Sequence, residues 1–350
     1  MAYTNFCCRS GGSNLNAGTR TGNTTQPGQS ADLTYAAGGW VNTTRVFTVA
    51  SGDPVADGVA VDDYAAIDTG GSDAAYIARV TARTSTTITL ASNGAGTNPA
   101  NGTYTMRIGG AWSGPSGASD FPLDLNYTGA GILNTSADTA RINLKDNQTY
   151  SITAAISMAA GPAVVQGYTT TYGDGGRASI DGGTTGASFV LININTGVQL
   201  RDLIIANNGD TGSANGVSFS NFTRVLVDRC VVHSVRGSGF AATSGQFTLV
   251  QCEVYAANQS NTANTPAVAI TGTGLGALIR CMIHDNTGSN TDGARLGGGF
   301  GFLTCVDTVF DTNGRHGILA ASTVNVTVVN CTFHGNGTDG ILLLGNAPTL

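Results

Sequence analysis

A short apolar phrase recurs six times between Leu200 and Phe333, and this repeat constrains the fold more than any other feature of the chain. The phrases are LRDLII, VDRCVV, LVQCEV, LIRCMI, CVDTVF and VVNCTF. Their central column is spaced at 27, 22, 29, 27 and 23 residues and contains Leu203, Cys230, Cys252, Cys281, Thr308 and Cys331. Three columns stay apolar or small while their neighbours vary, as expected of strands that bury alternate side chains. The period predicts a solenoid, here a parallel β-helix with the central column as its core ladder.

The composition favours an all-β chain and excludes several classes of function. Charged residues make up 11% of the 350 residues, against about 25% in ordinary soluble proteins, and strong helix formers are scarce. The net charge of −6 offers no basic surface for nucleic-acid phosphates. No apolar run approaches the roughly 20 residues of a membrane span, and the start MAYTNFCCRSGG has no signal-peptide pattern. We therefore expect no nucleic-acid partner, no membrane insertion, and synthesis in a cytoplasm without a signal peptide.

The chain divides into four predicted segments. Residues 1–29 are rich in Gly, Ser, Thr and Asn, which predicts an extended N-terminal arm. Residues 30–115 alternate apolar and polar side chains over four or five runs, which predicts a small β-barrel or sandwich. A Gly/Pro linker is expected over 116–129, followed by the β-helix over 130–350. Because the sequence stops after GILLLGNAPTL, where another turn would start, we expect an incomplete helix end or one that stacks on another chain.

The cysteines fall in the repeat rather than in a disulfide pattern. Five of the seven lie in predicted inward columns, where a free thiol packs as a small hydrophobe. Synthesis in a cytoplasm also favours reduced thiols. We expect core thiols there, and a partly buried pair at Cys7 and Cys8.

Asparagine recurs five residues after the central column in several turns, at Asn208, Asn286, Asn313 and Asn336. Amide side chains stacked along the axis of a solenoid can bond to one another and to the turn backbone. We predict a structural role for this asparagine turn ladder.

The repeats resemble the pectate-lyase-like family of right-handed parallel β-helices. The matching pieces are NVTVVNCTFHGNGTDGILL and, earlier, INLKDNQTYSI and VVQGY, and the resemblance covers roughly residues 130–350. It implies a right-handed β-helix, in a family that holds polysaccharide lyases and hydrolases, phage tailspike depolymerases and non-enzymatic surface and virion proteins. The layout of polar arm, small β domain, linker and β-helix also resembles a bacteriophage virion spike, fibre or decoration protein.

The resemblance makes Asp292 and His316 candidate catalytic residues. They lie in Asn290–Gly293, which reads NTDG, and in Gly314–Gly317, which reads GRHG; both are similar to polygalacturonase motifs. That chemistry uses a pair of carboxylates as acid and base, and the sequence has neither an Asp-Asp pair between the two motifs nor a following Arg-Ile-Lys. We therefore expect a chain without enzyme activity.

A calcium site of the pectate-lyase type is a second possibility raised by the resemblance. It would use Asp228, which we place with Asp202 and Asp307 in an outward column just before the central one. The other members of that column are Gln251, Arg280 and Asn330. Because these interrupt the acidic ladder, we expect a solvated face with ion pairs and no cofactor.

A further column, three residues after the central one, contains His233, Tyr255, His284, Asp311 and His334. Imidazole suits Zn²⁺ or Ni²⁺, which makes His233, His284 and His334 candidate metal ligands. Tyr255 and Asp311 separate them, however, so no two histidines lie on adjacent turns. Tyr and His also offer stacking faces with polar tips, which makes a glycan-binding edge one alternative. The other alternative is a simple role in forming the turn.

Together these patterns predict a structural and adhesive component of a phage particle. Residues 1–115 would bind other virion proteins, and the β-helix would project as a stiff rod that contacts host polysaccharide. We expect a homo-oligomer, with a trimer as its state. The alternatives are a polysaccharide depolymerase tailspike, whose carboxylates can lie between subunits, and a bacterial cell-surface adhesin.

Overall fold

The chain is all β, as predicted. The computed structural model describes residues 3–8, 17, 31–70, 75–92, 94–109, 139–151, 156–158, 163–182, 189–192, 197–208, 215–220, 224–273, 275–297, 301–321 and 324–344. All regular structure within these ranges is β-strand. The predicted linker over 116–129 lies outside them. The chain divides into two compact units, one of Met1–Gln148 with Ala163–Gly176 and one of Thr149–Pro162 with Arg177–Leu350.

The first unit contains a small closed barrel of six antiparallel strands. These strands are β2 (Leu33–Val41), β3 (Val46–Thr48), β4 (Tyr64–Asp68), β5 (Tyr76–Arg83), β6 (Thr87–Leu90) and β8 (Gly102–Ile108). They follow the order β4-β8-β2-β3-β6-β5, and pairing of β4 with β5 closes the ring, while the short β7 (Ala95–Gly96) adds to β5. Trp40, Phe47 and Met106 fill the core with other bulky side chains. Closure leaves the barrel without a free edge of its own.

Three parallel strands complete the described part of the first unit: β1 (Tyr3–Cys8), β9 (Thr139–Lys145) and β12 (Ala163–Tyr168). Strand β1 belongs to the predicted N-terminal arm and pairs with β9 of its own chain. Phe6 packs edge-on against Tyr64, with ring centroids 5.0 Å apart. Cys7 and Cys8 are fully buried, and the Cys7 Sγ lies 2.9 Å from the hydroxyl of Tyr168. The arm therefore contributes core side chains over this strand.

The second unit is a parallel β-solenoid with six complete turns of three strands, which form three sheets. The first sheet contains β15 (Val198–Arg201), β18 (Val225–Asp228), β21 (Gln246–Val250), β24 (Leu275–Ile279), β27 (Phe302–Val306) and β30 (Asn325–Val329). The second contains β10 (Thr149–Ser151), β13 (Ala178–Asp181), β16 (Leu203–Asn208), β19 (Val231–Val235), β22 (Glu253–Tyr255), β25 (Met282–His284), β28 (Val309–Asp311) and β31 (Thr332–His334). The third contains β11 (Ile156–Met158), β14 (Phe189–Ile192), β17 (Val217–Ser220), β20 (Phe240–Ala242), β23 (Val268–Thr271), β26 (Ala294–Gly297), β29 (Ile318–Ala321) and β32 (Ile341–Leu344).

The predicted core ladder lies inside the corner between the first and second sheets. Five members, Leu203 to Thr308, are almost completely buried, whereas Cys331 in the last turn is partly exposed. The Cys281 Sγ donates a hydrogen bond of 3.4 Å to the carbonyl of Leu249 on the preceding turn. The Thr308 hydroxyl makes the equivalent bond, 3.1 Å long, to Leu278. Thr can therefore replace Cys in this column because it keeps the same bond between turns. All seven cysteines lie in described residues and are free thiols.

The asparagine turn ladder runs along the corner between the second and third sheets. The Asn286 amide nitrogen donates to the Asn313 side-chain oxygen at 2.8 Å, and Asn313 donates in the same way to Asn336 at 2.9 Å. The Asn286 side-chain oxygen also accepts the backbone N–H of Ala257. Each amide thus connects two turns and satisfies turn backbone. The side chain of Asn208 lies outside the described ones.

A second repeated feature turns the chain from the first sheet into the second. One residue there has a left-handed backbone, with φ between 50° and 55°, in six successive turns: Asp202, Arg229, Gln251, Arg280, Asp307 and Asn330. Asp228 was predicted to lie in this column, and that prediction was wrong by one position. Asp228 ends β18, and Arg229 occupies the corner, where its guanidinium bonds both Asp202 oxygens at 2.8 Å and Asp228 at 2.7 Å. Two of the three carboxylates considered for calcium, Asp202 and Asp228, are therefore bound by the same arginine.

Candidate functional site

The outward face of the second sheet carries a row of histidine, tyrosine and aspartate side chains on neighbouring turns. His233, Tyr255, His284, Asp311 and His334 are in register on five neighbouring strands, and we call them the ring column. They point outward because the residue before each of the first four, from Val232 to Phe310, is completely buried. The ring column is therefore held on a rigid sheet at the spacing of its strands.

The aromatic members of the ring column stack on one another. The rings of His233 and Tyr255 lie 4.9 Å apart with an angle of 3° between their planes. Those of Tyr255 and His284 lie 5.4 Å apart at 26°. Neighbouring faces are thus covered, and the ring edges and polar tips face solvent.

Two carboxylates flank His284. Its Nε2 lies 2.9 Å from Glu253 Oε1 on the neighbouring turn, and its Nδ1 lies 2.8 Å from Asp285 Oδ2. Burial lowers the pKa of His284, but the hydrogen bonds to Asp285 and Glu253 outweigh it, so the pKa is raised. The protonated ring donates both N–H groups, which leaves net negative charge beside the stacked rings.

The two ends of the ring column differ in charge. Burial lowers the pKa of His233, so this ring stays neutral more readily than His284. At the other end, the His334 Nδ1 lies 2.9 Å from Asp311, and this bond keeps the pKa of the Asp311 carboxyl below its usual range. The ring column therefore offers neutral ring edges at one end and carboxylates at the other.

The predicted metal role of the histidines stays a prediction. Tyr255 separates His233 from His284, and Asp311 separates His284 from His334. No group of three or more His, Cys, Asp or Glu side chains that could hold a metal ion occurs among the described residues.

Asp292 and His316, the candidate catalytic residues, lie in successive turns beside the asparagine turn ladder. Asp292 is completely buried, and the Arg315 guanidinium bonds both of its oxygens. His316 is also buried, and its Nδ1 lies 2.7 Å from the Thr338 hydroxyl and 3.1 Å from an Asp339 oxygen. The geometry makes these residues members of a hydrogen-bonded polar network over three turns. Their catalytic role stays a prediction.

Sequence reasoning missed the partners that shape these sites. Glu253, Asp285 and Arg315 were not identified, although Glu253 and Arg315 have a signal in the repeat. Glu253 points to the same side as Tyr255 because it lies two residues earlier in the same strand. Arg315 follows Asp292 by 23 residues, the length of one short turn, which brings the two into adjacent turns.

The second unit matches a known family. Residues 188–350 match the family model described as a right handed beta helix region. The solenoid is therefore a right-handed parallel β-helix, and the pectate-lyase-like resemblance is confirmed as a statement about fold. No curated protein matches the sequence of the chain. No helix in the described part of the chain has the length and apolar character to cross a membrane.

Three solved structures are similar at low identity. The pectate lyase Pel9A has 13% identity and a TM-score of 0.38, over 58% of this chain and 71% of its own. The Gp54 tailspike of Acinetobacter baumannii bacteriophage AP22, solved in complex with A. baumannii capsular saccharide, has 12% identity and a TM-score of 0.32 over 91% of this chain. The tailspike protein gp49 from Pseudomonas phage LKA1 has 11% and 0.17 over 92%. This chain spans 60% and 64% of the two tailspikes.

Proposed function

We propose that this chain is a structural and adhesive protein of a bacteriophage particle, a spike, fibre or capsid decoration, that binds host surface glycan through the ring column. Residues 1–115 attach it to other virion proteins, and the right-handed β-helix of the second unit forms a rigid rod. The protein works in the virion as a homo-oligomer, with a trimer as the expected state.

The observation that carries this proposal is the ring column itself. A glycan presents hydroxyl groups along its length, which match the polar tips of the rings and the carboxylates beside them as hydrogen-bond partners. The stacked rings lie 4.9 and 5.4 Å apart along the rod, so a linear glycan along the axis meets one polar side chain of the ring column at each turn. Packing and hydrogen bonds fix these side chains beforehand, which lowers the entropic cost of binding.

The surface around the ring column supports the same function. Charged residues make up only 11% of the chain, so the proposed rod attracts few counterions or nucleic acids nonspecifically. The core columns and the asparagine turn ladder hold each turn on the next without disulfide bonds. Such a rod suits a protein that projects into solvent and meets a cell surface.

The test has a location arm and a binding arm. Immunogold electron microscopy of native source material, with an antibody against residues 30–115, should place label at regular positions on viral particles. Purified protein should adsorb to host cells, and Tyr255→Ala should lower adsorption about tenfold by removing the central ring of the stack. Phe302→Ala is the control, because Phe302 is about half exposed on the first sheet. Label on cell surfaces alone, or equal adsorption by both variants, would overturn the proposal.

One observation favours a second candidate, a polysaccharide depolymerase. Glu253 and Asp285 both bond the same imidazole, that of His284, on an exposed face. Glycoside hydrolysis requires two carboxylates on opposite sides of the scissile bond. If the chain cleaves host polysaccharide, new reducing ends will accumulate with the wild type and not with Glu253→Gln. Absence of reducing ends with the wild type would leave binding as the activity.

A further inference from the structure

A groove on the outward face of the third sheet lies outside the ring column. It has a volume of about 230 Å³ and is lined by residues of β23, β26 and the loop before β23, among them Asn264, Pro266, Ala269, Thr271, Arg295 and Gly297. Pro266 is buried, and Ala269 and Arg295 pair directly across neighbouring strands. The floor is thus apolar, with a single guanidinium at its centre.

Some arginines of the second unit form ion pairs with carboxylates, and Arg295 differs from them. Arg229 bonds Asp202 and Asp228, and Arg315 bonds Asp292. The Arg295 side chain is half-buried and donates to the Asn264 side-chain oxygen, but no carboxylate of the described residues lies within ion-pair distance. Burial lowers the pKa of Arg295, and the charge of Arg315 adds to this effect while that of Asp292 opposes it. A half-buried cation without a carboxylate is costly, and an anionic ligand would offset that cost.

The apolar part of the groove restricts the kind of anion. An inorganic anion would satisfy Arg295 but leave the apolar surface around Ala269 in water. A sugar acid satisfies both, because its ring has an apolar C–H face and its carboxylate accepts two parallel N–H bonds from a guanidinium. Asn264 and Thr271 lie at the rim, where hydroxyl groups of a sugar would need polar partners.

Gly297 keeps the floor of the groove open. A Cβ placed on this residue would meet no heavy atom within 4 Å. Its φ is not in the left-handed region, so a larger side chain fits the backbone of β26. Gly297 therefore allows the groove to be filled without disturbing the core.

From these observations we infer that the groove at Arg295 is a second binding site, which takes a carboxylate-bearing sugar unit of a glycan. The Arg295 guanidinium binds the carboxylate, and the sugar ring lies over the apolar surface around Ala269. The inference rests on the proposed function, because it names the class of glycan that the rod would bind outside the ring column.

Saturation-transfer NMR on the full chain tests this site with two small probes, methyl β-D-glucuronide and methyl β-D-glucoside. The wild type should saturate the ring protons of the glucuronide and bind the uncharged glucoside about tenfold more weakly, since a hydrogen bond to a charged group is lost. Arg295→Gln should weaken glucuronide binding by a similar factor. Gly297→Leu should abolish it by filling the groove. Arg280→Gln is the matched control, because the Arg280 side chain is 65% exposed at a corner of the first sheet.

Circular dichroism and thermal melting establish that each variant is folded. Equal binding of the two probes by the wild type, or wild-type affinity in both Arg295→Gln and Gly297→Leu, would overturn the inference. The host-cell adsorption of Tyr255→Ala reports on the ring column alone. If the groove does not bind the glucuronide, the adsorption result for the ring column still stands. If Tyr255→Ala adsorbs like the wild type, the probe titrations still report on the groove.

Discussion

The barrel and the solenoid solve the same problem, an exposed sheet edge, in opposite ways. The barrel closes six antiparallel strands on themselves around bulky aromatic side chains such as Trp40 and Phe47. The solenoid never closes; each turn covers the edge of the previous one, and its core consists of side chains repeated in register, such as the cysteines of the core ladder and the stacked rings of Phe219 and Phe240. A barrel side chain therefore contacts residues distant in sequence, whereas a solenoid side chain contacts its counterparts on the next turn. Substitutions should reveal this difference in how far their effects spread.

The largest effect is expected from a charge in the solenoid core. Cys252 is almost completely buried between Cys230 and Cys281 in the core ladder, so Cys252→Asp buries a carboxylate without a partner. The β-helix should fail to fold, and hydrogen exchange followed by mass spectrometry should show lost protection over all six turns. Cys252→Ser is the control of similar size. An unchanged melting temperature for Cys252→Asp would mean that the inward columns are misassigned.

A cavity in the barrel should come next. Phe47 is fully buried, so Phe47→Ala should cost about 3–5 kcal/mol of unfolding free energy. Exchange protection should fall throughout β2, β3 and β6 because closure couples the strands. The solenoid turns should keep theirs. Equal loss of protection in both units would show that they unfold together and would contradict the comparison.

A smaller effect is expected from the asparagine turn ladder. Asn313→Ala leaves the amide groups of Asn286 and Asn336 without their shared partner. An unsatisfied buried polar group costs about 1–3 kcal/mol. Loss of protection should be confined to the turns on either side, which chemical denaturation with residue-level exchange can resolve. The control is Thr327→Ala, on the exposed face of the first sheet. It should change neither the unfolding free energy nor the exchange protection. Loss across the whole solenoid would show longer coupling than the repeat implies.

The smallest effect concerns pH. The pKa of His284 is raised in the folded chain, so protonation favours the folded state. Its contribution is complete below the ordinary histidine pKa of about 6.5 and is lost as the pH rises through the raised value. The melting temperature of the wild type should exceed that of His284→Gln most at about pH 5.5 and approach it by about pH 8.5. A constant difference over this range would show that the two carboxylates do not hold the ring.

Sequence alone reveals the features that repeat and misses those that occur once. The core ladder and the asparagine turn ladder leave a period that can be aligned by eye, so the right-handed β-helix was predicted correctly. Pairing of β1 with β9 and closure of the barrel connect distant segments and leave no period. The corner position before Cys230 was misassigned at Asp228, although the repeat itself places Arg229 directly before this residue of the central column.

The candidate sites show the same limit. The ring column was visible as a column, but its stacking depends on side-chain orientation that the sequence does not record. The pairing of Arg315 with Asp292 needed the register of two turns. The groove at Arg295 had no sequence signal. It depends on two absences in the described structure: no carboxylate lies near Arg295, and Gly297 has no side chain to fill the space.

The left-handed corner has a consequence for how such a chain can change over generations. In the last five turns, the connection from the strand of the first sheet to the strand of the second is always two residues long. The connection from the second sheet to the third varies from four residues (236–239) to twelve (256–267). Nearly all variation in repeat length is therefore accommodated at one corner, beside the ring column and the groove. Insertions there alter what the rod displays and leave the stacked core as it was. Proteins with this fold can therefore acquire new surface loops during evolution while the stacked core stays the same.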